Sequence, residues 1–178
     1  VLLFHTGLGF PGGYVGVDVF FVISGFLITG LILKEQDAGS FRLREFWSRR
    51  VRRIVPASLT MAVFVLIAGG LLLLPKDYER LAEATVAQQL MFANFHFWKH
   101  TGYFDGPSEM MPLLHTWSLA VEEQFYLVYP LLLWGMAKVR QRFKLLTLLV
   151  LFAASLAWSM VEVHRAPSAA FFLLPTRA

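Results

Sequence analysis

The stretch Ile54–Leu74 carries no charged residue, and this run constrains the fold more than any other feature. A bilayer core is about 30 Å thick and a helix rises about 1.5 Å per residue, so roughly 18 mostly apolar residues suffice to cross it. Tyr14–Leu33 meets the same criterion with Asp18 as its only charge. Trp117–Met136 meets it apart from Glu122 and Glu123, and Leu145–Val161 is uncharged but slightly short. The chain is 57% hydrophobic and 16% charged, whereas a soluble domain is expected near ~45–50% and ~25%. Backbone polar groups in lipid must be satisfied within the spanning segment. The expected fold is therefore all-α: a polytopic transmembrane helix bundle with spans at about 14–33, 54–74, 117–136 and 145–161. Val1–Thr6 reads as the last turns of a further helix and Phe171–Leu174 as the start of another, so the chain reads as a partial domain cut at both ends.

The links between spans carry opposite charge. Lys34, Arg42, Arg44, Arg49, Arg50, Arg52 and Arg53 outnumber Glu35, Asp37 and Glu45 in the first long link. Lys138, Arg140, Arg142 and Lys144 stand without an acid in a short one. Between Pro75 and Leu114, Lys76, Arg80 and Lys99 face Asp77, Glu79, Glu83, Asp105 and Glu109. Lys/Arg excess marks cytoplasmic loops, so the two basic links are expected inside and the acidic link outside, as four alternating spans require. The net charge of +4 is accounted for in this way and does not call for nucleic acid. Within the outer link, Asp77–Asn94 has helical spacing and Gly102–Pro112 reads as loop.

There is no cysteine, which excludes disulfides, thiolate metal sites and cysteine nucleophiles. Chemistry must come from ionisable residues held at membrane depth, where each costs about 2.5–3.5 kcal/mol on insertion scales and so calls for a reason. His5 and Asp18 flank the Gly- and Pro-containing turn Gly7–Gly13, at similar depth in an antiparallel hairpin. A carboxylate beside imidazole fixes its tautomer and raises its basicity, as a general base needs. Two interface residues reaching water, with Asp18 capping a helix, satisfy the same pattern. Glu122 and Glu123 point about 100° apart on a helix, so one can face the bundle as an acid/base group. An internal salt bridge or a hydrogen bond to Trp or Tyr is the simpler explanation from position alone. Arg49, Arg50, Arg52 and Arg53 match phosphate geometry and also suit simple topology anchors. His96 and His100 share a helix face but have no third ligand near them, and no metal site is expected. His115 could line the outer mouth of a site.

Three segments, taken together, resemble the acyltransferase 3 family of membrane acyltransferases. They are Phe4-His5 with Gly13–Ile28; Phe46-Trp47-Ser48-Arg49-Arg50-Val51-Arg52-Arg53-Ile54-Val55-Pro56; and Leu114–Tyr126, containing Trp117-Ser118-Leu119-Ala120-Val121-Glu122-Glu123-Gln124-Phe125-Tyr126 and ending in Tyr129-Pro130. The resemblance implies a full domain of about ten transmembrane helices, located in a bacterial inner membrane. It implies transfer of an acyl group, usually acetyl, from a cytoplasmic acyl-CoA donor to a hydroxyl of an envelope glycan or lipid, with no permanently bound cofactor. An extracytoplasmic domain after Ala178 fits the same pattern.

By that resemblance His5 is the essential histidine and Glu122 a residue of the site; Asp18, from its place across the turn, completes the catalytic set as the group that orients His5. Arg50 and Arg53 form the family's Arg-x-x-Arg motif and contact the phosphates of coenzyme A. Arg49 and Arg52 share the spacing, but Pro56 follows Arg50 and Arg53 in place. The arginines are expected at the cytoplasmic end and His5 and Glu122 in the outer half. Direct attack by the acceptor hydroxyl and an acyl-histidine relay both remain open. A transporter or a non-catalytic scaffold or sensor would also hold ionisable groups in a bundle.

Overall fold

The computed structural model describes residues 15–100 and 111–176. Every regular element among them is helical. Helix α1 spans Gly16–Asp37, α2 Leu43–Leu72, α3 Pro75–Gln89, α4 Ala93–Lys99, α5 Thr116–Gly135, α6 Gln141–Arg165 and α7 Pro167–Phe172, followed by a 3-10 turn at Leu174–Thr176. Helices α1, α2 and α6 are long and apolar enough to cross a membrane. The chain is thus part of a helical integral membrane protein. Helix α5, with 20 residues, is long enough, but its Glu122-Glu123-Gln124 run keeps it out of that set.

The chain divides into two units, one up to Leu43 and one from Arg44 onward. The first is built on α1, which places Asp18 in its first turn. An acid there favours the positive end of the helix dipole. The helix stops in a Schellman turn: Gly39, at φ +65°, donates to the Gln36 carbonyl at 3.0 Å, and the Ser40 N–H reaches Glu35 at 2.9 Å. Glycine meets the left-handed conformation without a Cβ penalty.

In the second unit, α2 runs unbroken for 30 residues with Pro56 inside it. The arginine segment, expected as part of a link, is therefore helix. Arginine is a good helix former and nothing between Leu43 and Ile54 breaks the turn pattern. Helix α3 has Leu81, Ala84, Thr85 and Gln88 on one buried face, the i, i+3, i+4, i+7 stripe of an amphipathic helix. Against it, Ser58 of α2 accepts from Gln88 at 2.7 Å and from Gln89 at 2.9 Å.

The helix expected to continue to Asn94 instead ends at Gln89. Met91 takes φ +63°, its N–H reaches the Gln88 carbonyl at 3.1 Å, and Phe92 reaches Ala87 at 2.7 Å. This is a second Schellman turn, with methionine where glycine is usual. A tertiary bond accompanies it: Gln124 of α5 donates to the Met91 carbonyl at 2.7 Å. The core then forms where α4, α5 and α7 meet. Ala93, Phe97, Ala120, Val121 and Phe172 are buried there, and Trp117 packs against Phe171 and Phe172 at 4.7 and 5.6 Å between ring centroids. Phe171–Leu174 does not begin a further long helix. Helix α7 ends at Phe172, and the Thr176 hydroxyl turns back to the Ala170 and Leu173 carbonyls at 2.9 and 2.7 Å. Ser155 of α6 fixes this end by donating to Pro175 at 2.5 Å.

Candidate functional site

The site is centred on Tyr126, in the third turn of α5. Glu122 lies four residues earlier, so the two side chains share one face of the helix. Both are buried, and the Tyr126 hydroxyl donates to Glu122 Oε1. Glu123, also buried, leaves the helix on a different side. From α2, Arg50 brings its guanidinium over the Tyr126 ring, with Cζ 5.3 Å from the centroid, and also over the fully buried Phe46, again at 5.3 Å. Such cation–π contacts contribute roughly 0.5–2 kcal/mol each as the site becomes desolvated. Arg50 Nε is buried and makes no hydrogen bond among the described residues, so this arginine has donor capacity left for a further group.

Arg50 and Glu122, both expected in the site, thus meet on Tyr126, the last residue of the motif that begins at Trp117. The expectation that the arginines and Glu122 lie at opposite ends of the bundle is corrected for Arg50. Because the arginines are part of α2 and not of a loop, Arg50 sits two turns inside a helix that packs against the middle of α5. Arg49, Arg52 and Arg53 are exposed. Arg53 follows Arg50 at i+3, so the two share one side of α2. Asp18 is half-buried at the start of α1. His5, and with it the expected His5–Asp18 pair, lies outside the described residues.

The backbone contributes as well. Pro130 stands in the interior of α5 and is fully buried. A proline has no N–H, so the carbonyl four residues earlier, that of Tyr126, loses its intrahelical donor. Trp47 of α2 supplies one: its indole Nε1–H donates to the Tyr126 carbonyl at 3.1 Å. Beside this site, Asn94 and Gln124 exchange amide hydrogen bonds, and Asn94 also donates to the Phe172 carbonyl at 3.1 Å.

His96 and His100 stack with ring centroids 4.4 Å apart, and His100 Nδ1 lies 2.8 Å from the His96 carbonyl. No cluster of three or more metal-ligating side chains occurs among the described residues. His115 is exposed at the start of α5, where its carbonyl accepts from Ser118 at 3.0 Å.

A buried phenol bonded to a carboxylate, with a guanidinium on its ring, is an arrangement suited to handling a proton away from bulk water. The sequence profile of the acyltransferase domain family matches residues 1–176. The chain belongs to that family. Among relatives of this acyltransferase domain, an uncharacterized protein of Haemophilus influenzae is 39% identical over 83% of the chain and 61% of its own length. A putative O-acetyltransferase of Staphylococcus aureus is 39% identical over 82% of the chain and 24% of its own length. The peptidoglycan O-acetyltransferase of Listeria monocytogenes is 38% identical over 85% of the chain and 25% of its own length. The chain therefore spans less than two thirds of each of these relatives. No solved structure matches it.

Proposed function

We propose that this chain is the donor-binding and proton-handling part of a membrane O-acyltransferase that moves an acetyl group from acetyl-CoA to a hydroxyl of an envelope glycan, in the inner membrane of a bacterium. The observation that carries the reading is the convergence of Arg50 and Glu122 on Tyr126. It links an arginine-bearing helix surface to a buried carboxylate in a chain of the acyltransferase domain family. The names of the Staphylococcus and Listeria relatives support acetyl as the group and, for the latter, a glycan as the acceptor.

In this reading the exposed Arg53 meets the phosphates of the donor from the cytoplasmic side. Arg50, one turn earlier on the same side of α2, places its guanidinium over Tyr126. Charge-assisted bonds from arginine suit phosphate oxygens in bidentate geometry. His5, oriented by Asp18, accepts the proton that the acceptor hydroxyl gives up as it attacks the thioester carbonyl. Glu122, its carboxylate held by the Tyr126 hydroxyl, positions the acceptor hydroxyl for the attack. The thiolate of coenzyme A leaves and takes up the proton. Membrane lipid, acyl-CoA and the glycan are the partners, and a domain beyond Ala178 would receive or present the acceptor.

The test is transfer of radiolabelled acetyl from acetyl-CoA into base-labile esters of envelope glycan, in membranes carrying the full-length parent. His5→Ala should lower transfer by about 100-fold, the usual weight of a general base, and Glu122→Gln by a similar amount through lost positioning of the acceptor. Tyr126→Phe should fall between them and the parent. Arg53→Ala should raise the KM for acetyl-CoA by about tenfold or more, the loss of one charge-assisted hydrogen bond. A parent that transfers no label, or Glu122→Gln at parental activity, would sink the proposal.

A further inference from the structure

Trp47 is next to Phe46 and one turn from Arg50, the two residues that build one wall of the cluster. Its own contact is to the backbone of Tyr126, across 79 residues of sequence. The side chain of that same tyrosine binds Glu122. The acceptor exists because of a specific residue, since Pro130 removes the intrahelical donor of the Tyr126 carbonyl. Pro130 is fully buried, so water does not readily take the vacant place. A buried carbonyl without a donor is costly, and only one register of α2 along α5 puts the Trp47 indole there. Each residue of slip along a helix moves its side chains by about 1.5 Å, enough to move the Arg50 guanidinium off the ring.

We propose that Trp47 is a positioning residue: its indole N–H fills the hydrogen-bonding place vacated by Pro130 and thereby sets the register in which Arg50 and Glu122 meet on Tyr126. Its indole N–H contacts the Tyr126 backbone. It acts through Tyr126, and the inference rests on the O-acyltransferase reading above.

The structure supplies its own control. Pro130→Ala returns a backbone N–H to α5, so the Tyr126 carbonyl regains its helical partner and no longer depends on Trp47. Four forms of the full-length protein are compared: the parent, Trp47→Phe, Pro130→Ala and the double variant. Trp47→Phe in the parent background should lower kcat about three- to tenfold, the weight of one hydrogen bond. The KM for acetyl-CoA should stay within about twofold, because donor binding is left in place. In the Pro130→Ala background the same substitution should cost less than about twofold.

A role confined to packing of the indole ring would cost the same in both backgrounds, and that result overturns the proposal. So does Trp47→Phe at full activity, or its failure to accumulate in membranes in both backgrounds. A parent that transfers no label overturns the acyltransferase reading instead. The same cycle read as thermal unfolding of the four solubilised proteins then tests the hydrogen bond alone, and equal shifts in both backgrounds would refute it.

Discussion

Asn94 and Gln124 hold one another by their amide ends: Gln124 Nε2 donates to Asn94 Oδ1 at 2.8 Å, and Asn94 Nδ2 donates back to Oε1 at 3.4 Å. Each also reaches a carbonyl, Gln124 that of Met91 and Asn94 that of Phe172. One pair of side chains therefore ties α4, α5, α7 and the turn after α3 together, immediately beside the two glutamates. Asn94 is fully buried, so removing either amide leaves polar groups unmet.

Asn94→Leu should accordingly destabilise the protein by about 1–3 kcal/mol, the cost of stranding buried polar partners. Gln124→Leu should cost a similar amount. The double variant should lose less than the sum by about 0.5–1 kcal/mol, in keeping with coupled side chains inside membrane proteins. Thermal unfolding of the four detergent-solubilised forms measures this, and strict additivity would show that the pair acts as two independent contacts.

Met91 adopts a backbone conformation, φ +63°, that costs a non-glycine residue about 1–2 kcal/mol. Met91→Gly should relieve that strain while keeping the carbonyl that Gln124 uses, and should raise stability by up to about 1 kcal/mol once the lost side-chain contacts and the extra unfolded-state freedom of glycine are set against it. Met91→Val, which is β-branched, should lower stability. A rise in melting temperature for Val, or a fall for Gly, would show that the turn is held by the methionine side chain and not in spite of it.

His96 titrates below the usual histidine value of 6.5, first because burial penalises the imidazolium and then because His100 stands beside it, with Glu83 opposing. A base with a depressed folded pKa binds fewer protons than the unfolded chain between that value and 6.5. Stability therefore rises with pH across this window. It is complete above 6.5, declines as pH falls through the window and levels off below the folded pKa. Melting temperature followed from pH 7.5 to 5 should fall in the parent and fall less in His96→Gln. Parallel curves would mean that His96 does not contribute to the acid side.

The helical membrane character was legible because lipid imposes a length and a lack of charge that Gly16–Asp37, Leu43–Leu72 and Gln141–Arg165 display openly. The boundaries were not. Arginines next to an apolar run read as a loop by charge, yet they extend α2, because helix propensity and not hydropathy decides whether the turns continue. The break at Met91 had no glycine or proline to announce it, since a glutamine 33 residues away helps to hold it. The meeting of Arg50 with Glu122 depends on tertiary packing that no local pattern encodes. One signal did lie in the sequence. Glu122, Tyr126 and Pro130 recur every fourth residue and so form one stripe of α5, which would have marked Tyr126 and the carbonyl whose helical donor Pro130 removes.

Helix α2 has a further consequence through its length. Its 30 residues extend for about 45 Å against a hydrocarbon layer of about 30 Å. The segment bearing the arginines is thus an overhang of a rod pinned at Trp47 and again at Ser58. On a mobile loop, each residue ordered by an arriving anion would cost about 1–2 kcal/mol of backbone entropy. On this rod that ordering is complete before any ligand arrives, and only the side-chain torsions of the arginines remain to be fixed. Affinity for an anion at this surface should therefore track the continuity of the helix through Arg53 as closely as it tracks the arginines themselves.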